Sequence, residues 1–176
     1  MMRKDKKRFK VAMIGHKRVP SREGGIEVVV EELSVRMVER GLKVDVYNRK
    51  DRFGKAYKQP REYKGIRIIQ IPTFKVSALN AFVYSVLASF RALFGGYDCI
   101  HYHAEGPCAM MWLPKLFGIH TVATIHGLDW QRAKWGGFST KYLKLGEKCA
   151  SKYADELIVL SNNNQKYFKE TYGRDT

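Results

Sequence analysis

The sequence contains few cysteines and few acidic residues. The three cysteines, Cys99, Cys108 and Cys149, are odd in number and form no C-x-x-C pair. A disulfide framework is therefore excluded, and reduced, mostly buried thiols in a cytosolic protein are expected. Only 17 acidic residues stand against 32 lysines and arginines, which leaves a net charge of +15. This excess predicts an anionic partner, which could be nucleic acid, a membrane surface or a phosphorylated small molecule.

The sequence also lacks an uninterrupted apolar run of about 20 residues, the length that a membrane-spanning helix needs. Residues 1–10 are charged and lack the apolar core of a signal peptide. The longest weakly charged stretch, "SALNAFVYSVLASFRALF" at residues 77–94, carries one charge, Arg91, and several serines. This composition favours a buried helix over a membrane-touching one, and a membrane span least of all.

Three motifs of nucleotide and phosphate sites are absent. The chain contains no G-x-G-x-x-G, no G-x-x-x-x-G-K-[ST] and no D-x-D. Neither a nicotinamide dinucleotide site nor a P-loop is therefore supported, and no metal–nucleotide signature of the D-x-D type is present.

The 176 residues are 45% apolar, which is enough for one globular domain and too few for two of ordinary size. Short apolar runs predict strands at residues 9–15, 43–47, 66–71, 98–103, 121–126 and 156–161. Periodic segments predict helices at residues 26–40, from 77 onward, and at 106–117, 139–153 and 163–172. This alternation predicts an α/β fold, a Rossmann-like open, mostly parallel sheet with helices on both faces. We assign residues 1–8 to a basic tail and residues 9–176 to this domain, with a basic surface loop at residues 49–64.

In open α/β sheets, ligands bind beyond the carboxyl ends of the strands. The first such loop, "HKRVPSREGG" at residues 16–25, ends on the adjacent glycines Gly24 and Gly25 where a helix begins. Glycines at this position let the backbone approach a ligand. The free helix amides and Arg18 favour an anionic group such as a sugar phosphate. A plain turn is the alternative explanation for the paired glycines.

Two later loops carry histidines. The segment "HYHAEGP" at residues 101–107 puts His101 and His103 on one face of a strand end. The segment "IHGLDW" at residues 125–130 puts His126 where an imidazole can meet a bound hydroxyl. Metal binding by the His-x-His pair is the weaker alternative, because the spacing offers no third ligand. For His126 the alternative is a packed structural histidine.

Taken together, "GHKRVPSREGGIEVVVEEL", "HYHAEGP" and "TIHGLDWQRAKW" resemble the N-terminal half of glycosyltransferase family 4 enzymes. The closest resemblance is to bacterial capsule and exopolysaccharide rhamnosyltransferases, and it covers residues 9–176. It implies the GT-B architecture of two Rossmann-like lobes, with this chain as the N-terminal, acceptor-binding lobe. The donor-binding C-terminal lobe, with its E-x7-E-type motif, has no counterpart in these residues. We therefore expect this segment alone to be inactive, because both walls of the cleft are needed to position the reactants.

The resemblance also implies roles for individual residues. His126 matches the histidine beside the acceptor and the reacting sugar, and is the expected catalytic residue. Gly24 and Gly25 are expected to approach the donor diphosphate or the transferring sugar. The residues expected to line the acceptor side are Glu27, His103, Glu105, Gly127 and Asp129.

The expected function is hexosyl transfer from a nucleotide-sugar donor to a glycan or polyprenyl-diphosphate-linked acceptor in surface polysaccharide biosynthesis. Helix ends and basic side chains would stabilise the leaving diphosphate without a required metal or other cofactor. The basic loop at residues 49–64 fits a cytoplasmic enzyme that touches the inner face of the plasma membrane, and an ordinary solvated loop explains it equally well. The alternatives are a GT-B sugar epimerase lobe and a basic nucleic-acid-binding module. Nucleic acid is the less favoured partner, because the chain contains no recognisable nucleic-acid motif.

Overall fold

Seven strands form one sheet in the computed structural model, which describes residues 8–50, 59–73, 77–131 and 137–176. The strands are β1 (Lys10–Ile14), β2 (Lys43–Lys50), β3 (Glu62–Tyr63), β4 (Ile66–Pro72), β5 (Cys99–His103), β6 (His120–Ile125) and β7 (Glu156–Val159). Their order across the sheet is β3-β4-β2-β1-β5-β6-β7. Every neighbouring pair is parallel except β3 and β4. The predicted open, mostly parallel sheet is confirmed.

Six helices connect these strands within the described ranges. They are α1 (Gly25–Glu39), α2 (Ser77–Leu93), α3 (Glu105–Cys108), α4 (Trp112–Leu116), α5 (Gly137–Tyr153) and α6 (Asn162–Tyr172), and a short 3₁₀ turn covers Asp129–Gln131. Helix α1 packs its apolar face into one core cluster, which includes Val30 and Val46. Residues of α2, α5 and α6 fill a second cluster around Tyr102 and Ile125. Both faces of the sheet therefore carry helices, as predicted.

The direction of winding reverses between β1 and β5. The chain steps from β1 outward to β2 and β4, then returns to the other side of β1 and steps outward again through β5, β6 and β7. In open α/β sheets such a reversal marks the place of a crevice at the carboxyl ends of the two central strands, because the helices that follow these strands pack on opposite faces of the sheet. The loops after β1, β5 and β6 leave the sheet at this edge.

Helix α1 begins and ends where the end signals in the sequence predict. Gly24 is the N-cap, and the amide of Gly41 bonds to the carbonyl of Val38, while the amide of Leu42 bonds to that of Met37. Gly41 has φ +86, the left-handed conformation that this paired closure requires. The three consecutive valines, at residues 28–30, are helical although valine favours strands. They lie within a longer amphipathic pattern that glycines end on both sides.

Helix α2 has one buried and one exposed face. Tyr84, Ala88 and Ala92 face the core and are fully buried, whereas Phe90 and Phe94 on the opposite side are exposed. The described helices include none that is both long enough and apolar enough to cross a bilayer. The helix predicted from residue 77 onward is thus confirmed, and it is buried on the face that packs against the sheet but exposed on the other. The three cysteines are free and buried, as the sequence indicates.

Two predicted segments differ from the structure. The helix expected over residues 106–117 is divided into α3 and α4, because Pro114 has no amide to bond to the carbonyl of Met110, which accepts from Leu113 instead. The loop expected over residues 49–64 is partly regular. Arg49 and Lys50 extend β2, residues 62–63 form β3, and residues 51–58 lie outside the described residues.

Candidate functional site

The loops after β1, β5 and β6 meet at one edge of the sheet. The register pairs Ile14 with Tyr102, and His103 with Thr124, so the three strands end side by side. The Nδ1 atom of His103 lies 3.2 Å from the Nε2 atom of His126. The predicted convergence of the three loops is therefore present in the fold.

Gly15 makes this close approach of β1 and β5 geometrically feasible. Its φ is +127, and a Cβ atom built on it would lie 2.0 Å from the backbone oxygen of His103. Its amide donates to the hydroxyl of Tyr84, at 3.0 Å. A side chain at this position would push the first loop away from the second.

The two glycines at the start of α1 have different surroundings. A Cβ atom on Gly24 would lie 2.2 Å from Oε2 of Glu27, whereas one on Gly25 would meet nothing within 4 Å. The buried Glu27 carboxylate in turn accepts from the amide of Lys17, at 3.0 Å, and holds the loop against the helix. A side chain at Gly24 would therefore displace the Glu27 carboxylate, whereas Gly25 leaves open space at the start of α1.

His16 and Asn48 fix the base of the first loop. The buried His16 ring lies with Nε2 2.9 Å from Oδ1 of Asn48. The same Asn48 side chain accepts from the amide of Val19 and donates to its carbonyl. Burial lowers the pKa of His16 to about 4, so this imidazole is neutral at physiological pH. His16 is a structural residue of the loop.

His101, His103 and His126 form a row of imidazoles below the crevice. The rings of His101 and His103 stack with centroids 4.2 Å apart, and Nε2 of His101 lies 2.8 Å from Oγ1 of Thr124. Burial lowers the pKa of His101 to about 4 and that of His103 well below its ordinary value. The predicted placement of both side chains on one face is confirmed. His103 is fully buried, so it supports His126 from below and presents no surface to solvent.

His126 is the partly exposed member of this row. Burial lowers its pKa, and the carboxylates of Asp129 and Glu27 act in the opposite direction. A neutral imidazole in contact with His103 through Nε2 leaves Nδ1 as the nitrogen for a bound hydroxyl. The role that the sequence predicts for His126 stays a prediction, and in the structure the carboxylates of Asp129 and Glu27 act electrostatically on this imidazole.

Arg49 is a residue of this edge that the sequence reasoning missed. It lies near the end of β2, with its guanidinium 4.8 Å from the ring centroid of Tyr84. Burial lowers the pKa of Arg49, and the Glu27 carboxylate raises it only through a longer-range electrostatic interaction. None of the described carboxylates is within ion-pair distance of it, and its Nε atom is buried without a hydrogen-bond partner. A half-buried cation that has no ion-pair partner among the described residues is suited to an anionic ligand group.

The other predicted residues of the first and third loops lie at the surface of this edge. Arg18 forms an ion pair with Glu23 of its own loop. A Cβ atom on Gly127 would meet nothing within 4 Å, so the backbone after His126 is open to approach. Asp129 starts the 3₁₀ turn that follows. Over the described ranges, no group of three or more His, Cys, Asp or Glu side chains is arranged to hold a metal ion.

Glu105 does not line the crevice, in contrast to the expectation from the sequence. Glu105 is 0% exposed. Because Gly146 has no side chain, α5 packs closely against the start of α3 and covers this residue. Neither oxygen makes a well-formed hydrogen bond. Burial, the carboxylate of Glu147 and that of Asp129 raise the pKa of Glu105 to about 9. The carboxyl group is therefore protonated at neutral pH and serves packing behind the site.

Replacing Glu105 by glutamine is expected to stabilise the fold at alkaline pH. The unfolded carboxyl loses its proton near pH 4.5, whereas the folded one holds it to about pH 9. Stability is therefore lost as the pH rises through this interval, and a neutral amide avoids the loss. Urea unfolding at pH 8 should show a gain on the order of 2 kcal/mol, which should be absent at pH 4.5.

Glu156→Gln is the matched control for that substitution, because Glu156 is exposed on β7. It should change the free energy of unfolding by less than about 0.5 kcal/mol at either pH. A Glu105→Gln protein whose stability follows that of the parent protein at both pH values would contradict the assignment of a raised pKa to this carboxyl group.

Comparison with known proteins gives one family and one fold. Residues 23–176 match the model of the family described as Glycosyltransferase Family 4. A D-inositol 3-phosphate glycosyltransferase from Thermobifida fusca (strain YX) is 27% identical over 170 residues, covering 85% of this chain and 38% of that protein. The chain thus spans well under half the length of this relative.

Solved structures of a sucrose-phosphate synthase from Thermosynechococcus elongatus share the fold. One superposes with a TM-score of 0.68 at 20% identity, covering 93% of this chain and 45% of the other. A second gives a TM-score of 0.62 at 17% identity and covers 92% of this chain and 82% of the other. At these identities the likeness establishes the architecture of the sheet and its helices.

Proposed function

The chain belongs to glycosyltransferase family 4, and from this premise we propose that it is the acceptor-binding lobe of a hexosyltransferase. The donor is a nucleotide sugar, with rhamnose as the proposed sugar. The acceptor is a glycan or a polyprenyl-diphosphate-linked glycan in surface polysaccharide biosynthesis. The proposed location is the cytoplasm, at the inner face of the plasma membrane.

The observation that carries this proposal is the group of residues at the carboxyl edge of β1, β2, β5 and β6. A neutral imidazole, His126, lies near the buried carboxylate of Glu27 and the open start of α1 at Gly25. Arg49 adds a cation without an ion-pair partner among the described residues. An uncharged hydroxyl ligand and an anionic group would each find a complementary partner at this edge.

The reaction forms one bond and breaks one bond at the anomeric carbon of the donor sugar. The acceptor hydroxyl oxygen bonds to this carbon, and the carbon–oxygen bond to the nucleoside diphosphate breaks. The hydroxyl proton leaves to the departing diphosphate or to a base. His126 would orient the hydroxyl or the sugar through Nδ1. The amides at the start of α1 would stabilise negative charge that develops on the phosphate oxygens.

Arg49 favours a phosphate-bearing acceptor over a neutral glycan. The Thermobifida relative is a D-inositol 3-phosphate glycosyltransferase, and the phosphate in that name supports an anionic acceptor for this chain. A half-buried guanidinium binds phosphate oxygens through charge-assisted hydrogen bonds, and a neutral sugar would leave that charge uncompensated. Of the two acceptor classes, we therefore favour the polyprenyl-diphosphate-linked one.

The proposal is tested by incubating the intact protein with a panel of nucleotide hexoses, including the rhamnose donor. Each donor is paired with a polyprenyl-diphosphate-linked glycan or with the same glycan lacking the diphosphate. We expect equal amounts of glycosylated product and nucleoside diphosphate, with the lower KM for the phosphate-bearing acceptor. Arg49→Gln should raise that KM roughly tenfold or more, since a charge-assisted contact is lost.

Arg36→Gln on the exposed surface of α1 is the matched control and should leave both KM values unchanged. Epimerisation of the donor in the absence of any acceptor would instead support a sugar epimerase. Tight, salt-sensitive binding of oligonucleotides by a protein that binds no nucleotide sugar would support a nucleic-acid module. Either result would overturn the proposed transfer reaction.

A further inference from the structure

A buried carboxylate lies behind the crevice, on the sheet face that carries α5 and α6. It belongs to Glu147 on α5, which is 0% exposed. No lysine or arginine of the described ranges forms an ion pair with it. Three side-chain donors bind it instead. Nε1 of Trp130 donates to Oε2 at 2.7 Å, and the hydroxyls of Tyr167 and Tyr172 donate to Oε1 at 2.8 and 2.5 Å. The carboxylate thus has the hydrogen-bond partners that a buried charge requires.

The donors to Glu147 come from two different parts of the chain. Trp130 lies in the 3₁₀ turn of the third loop, shortly after His126. Tyr167 and Tyr172 both lie on α6 and share one carboxylate oxygen, whereas the other oxygen is bonded to the indole. One carboxylate therefore joins the third loop to two helices of the domain.

The Trp130 indole anchors one end of this turn. The Nζ atom of Lys144 on α5 lies 4.3 Å from the centroid of its ring. At the other end of the turn, Leu128 packs against the core and its carbonyl accepts from the amide of Gln131 at 3.1 Å. Asp129 lies between these two anchors, so its position depends on both of them.

The second loop rests on the same segment of α5. The carboxyl group of Glu105, which follows β5, lies beside the carboxylate of Glu147 and the backbone amide of Trp130. Gly146 has no side chain, and a Cβ atom on it would overlap the backbone of Glu105. The loops that carry the paired imidazoles are therefore braced against one another through α5.

We propose that Glu147 is a positioning residue of the transfer reaction. Its bond to the Trp130 indole holds the turn in which Asp129 and the open backbone of Gly127 accompany His126. This role rests on the proposed function, because it presumes that the acceptor meets the donor sugar beside His126. A displacement of about 1 Å in a catalytic group lowers the rate by orders of magnitude. Loss of the bond should therefore slow turnover although Glu147 itself is buried.

The first test compares two phenylalanine variants of the intact protein. Trp130→Phe and Tyr172→Phe each remove one uncharged donor to Glu147, but only the first frees the third loop. Tyr167 still donates to Oε1 when Tyr172 is changed. We expect kcat to fall about tenfold or more in Trp130→Phe and to stay within about twofold of the parent protein in Tyr172→Phe. KM should change less than kcat, because alignment is lost rather than a contact with substrate.

A second pair of variants changes Glu147 itself. Glu147→Gln keeps the bond to Trp130, because its amide oxygen accepts from the indole while its amide nitrogen donates to the tyrosine hydroxyls, which can also accept. Glu147→Leu removes every acceptor. We expect Glu147→Gln to keep kcat within about threefold of the parent protein and Glu147→Leu to lose about as much as Trp130→Phe. The double variant Glu147→Leu/Trp130→Phe should lose no more than either single variant, since both break the same bond.

Hydrogen exchange of the indole N–H reports this bond without any turnover. The chain has three tryptophans, and the indole resonance that disappears in Trp130→Phe belongs to Trp130. In the parent protein this N–H should exchange with solvent about tenfold or more slowly than in Glu147→Leu, and Tyr172→Phe should leave it unchanged. Circular dichroism checks the folding of each variant. If Glu147→Leu does not fold, the comparison of the two phenylalanine variants decides.

The possible failures of this role and of the proposed function are distinct. Transfer by the parent protein, with equal kcat in Trp130→Phe and Tyr172→Phe, would overturn the positioning role and leave the proposed function intact. A Glu147→Gln protein as slow as Glu147→Leu would also overturn it, because the charge rather than the bond to Trp130 would then matter. Absence of transfer by the parent protein would overturn the proposed function and this role together, and slow indole exchange would then identify a bond that serves the fold alone.

Discussion

Replacing His126 by alanine in the intact protein is expected to lower kcat by about 10²–10⁴-fold, the range for loss of a positioned imidazole. His126 is the one partly exposed ring in a row whose other members are buried and neutral. Its contact with His103 fixes the plane of the ring, so its second nitrogen points in a defined direction. The measurement is turnover at saturating donor and acceptor, so that a change in binding does not mimic a change in chemistry.

His120→Ala is the control for that experiment. His120 is an exposed histidine at the start of β6, at the amino edge of the same sheet, beside Asp155. This substitution removes an imidazole from the same strand without touching the crevice, and kcat should be unchanged. Unchanged turnover in His126→Ala at saturating substrates would remove His126 from the catalytic residues and leave it a packing role.

Replacing Gly15 by alanine is expected to destabilise the fold by about 3 kcal/mol or more. The added Cβ atom would lie 2.0 Å from the backbone oxygen of His103, and φ at this residue is +127. Backbone strain and overpacking each cost about 1–3 kcal/mol, and here neither neighbour is a flexible side chain that could move aside. Urea unfolding followed by circular dichroism gives the free energy directly.

Gly25→Ala provides the comparison for Gly15→Ala. Gly25 is the first residue of α1, and a Cβ atom there meets nothing within 4 Å. Its stability should equal or slightly exceed that of the parent protein, because alanine favours the helix. A Gly15→Ala protein as stable as Gly25→Ala would show that β1 and β5 can separate at their carboxyl ends, and the described convergence of the loops would then be wrong.

The order and type of the main elements could be predicted because each one follows a local pattern. The buried strands are short apolar runs, and α1 carries its end signals in Gly24 and Gly41. The meeting of His103 and His126 could be predicted as well, since parallel strands bring their carboxyl ends to one edge. These features depend on the spacing of residues along the chain.

Arg49 and Glu105 could not be assigned correctly, because their roles depend on neighbours distant in sequence. Arg49 opens a lysine- and arginine-rich segment, and composition alone indicates a solvated loop. Only the packing of Tyr84 from α2 shows that its guanidinium is half-buried. Glu105 follows a strand that carries two histidines, so the sequence places it near the site. Gly146, some forty residues further on, allows α5 to pack closely against the start of α3, and this packing buries the Glu105 carboxyl group.

The side chain of Glu147 connects the third loop to the last helix of the domain. It accepts from Nε1 of Trp130, in the turn after His126, and from the hydroxyls of Tyr167 and Tyr172 on α6. A displacement of α6 must therefore break these bonds or drag the Trp130 turn along with it. Helix α6 is therefore tied through one buried carboxylate to the turn that follows His126.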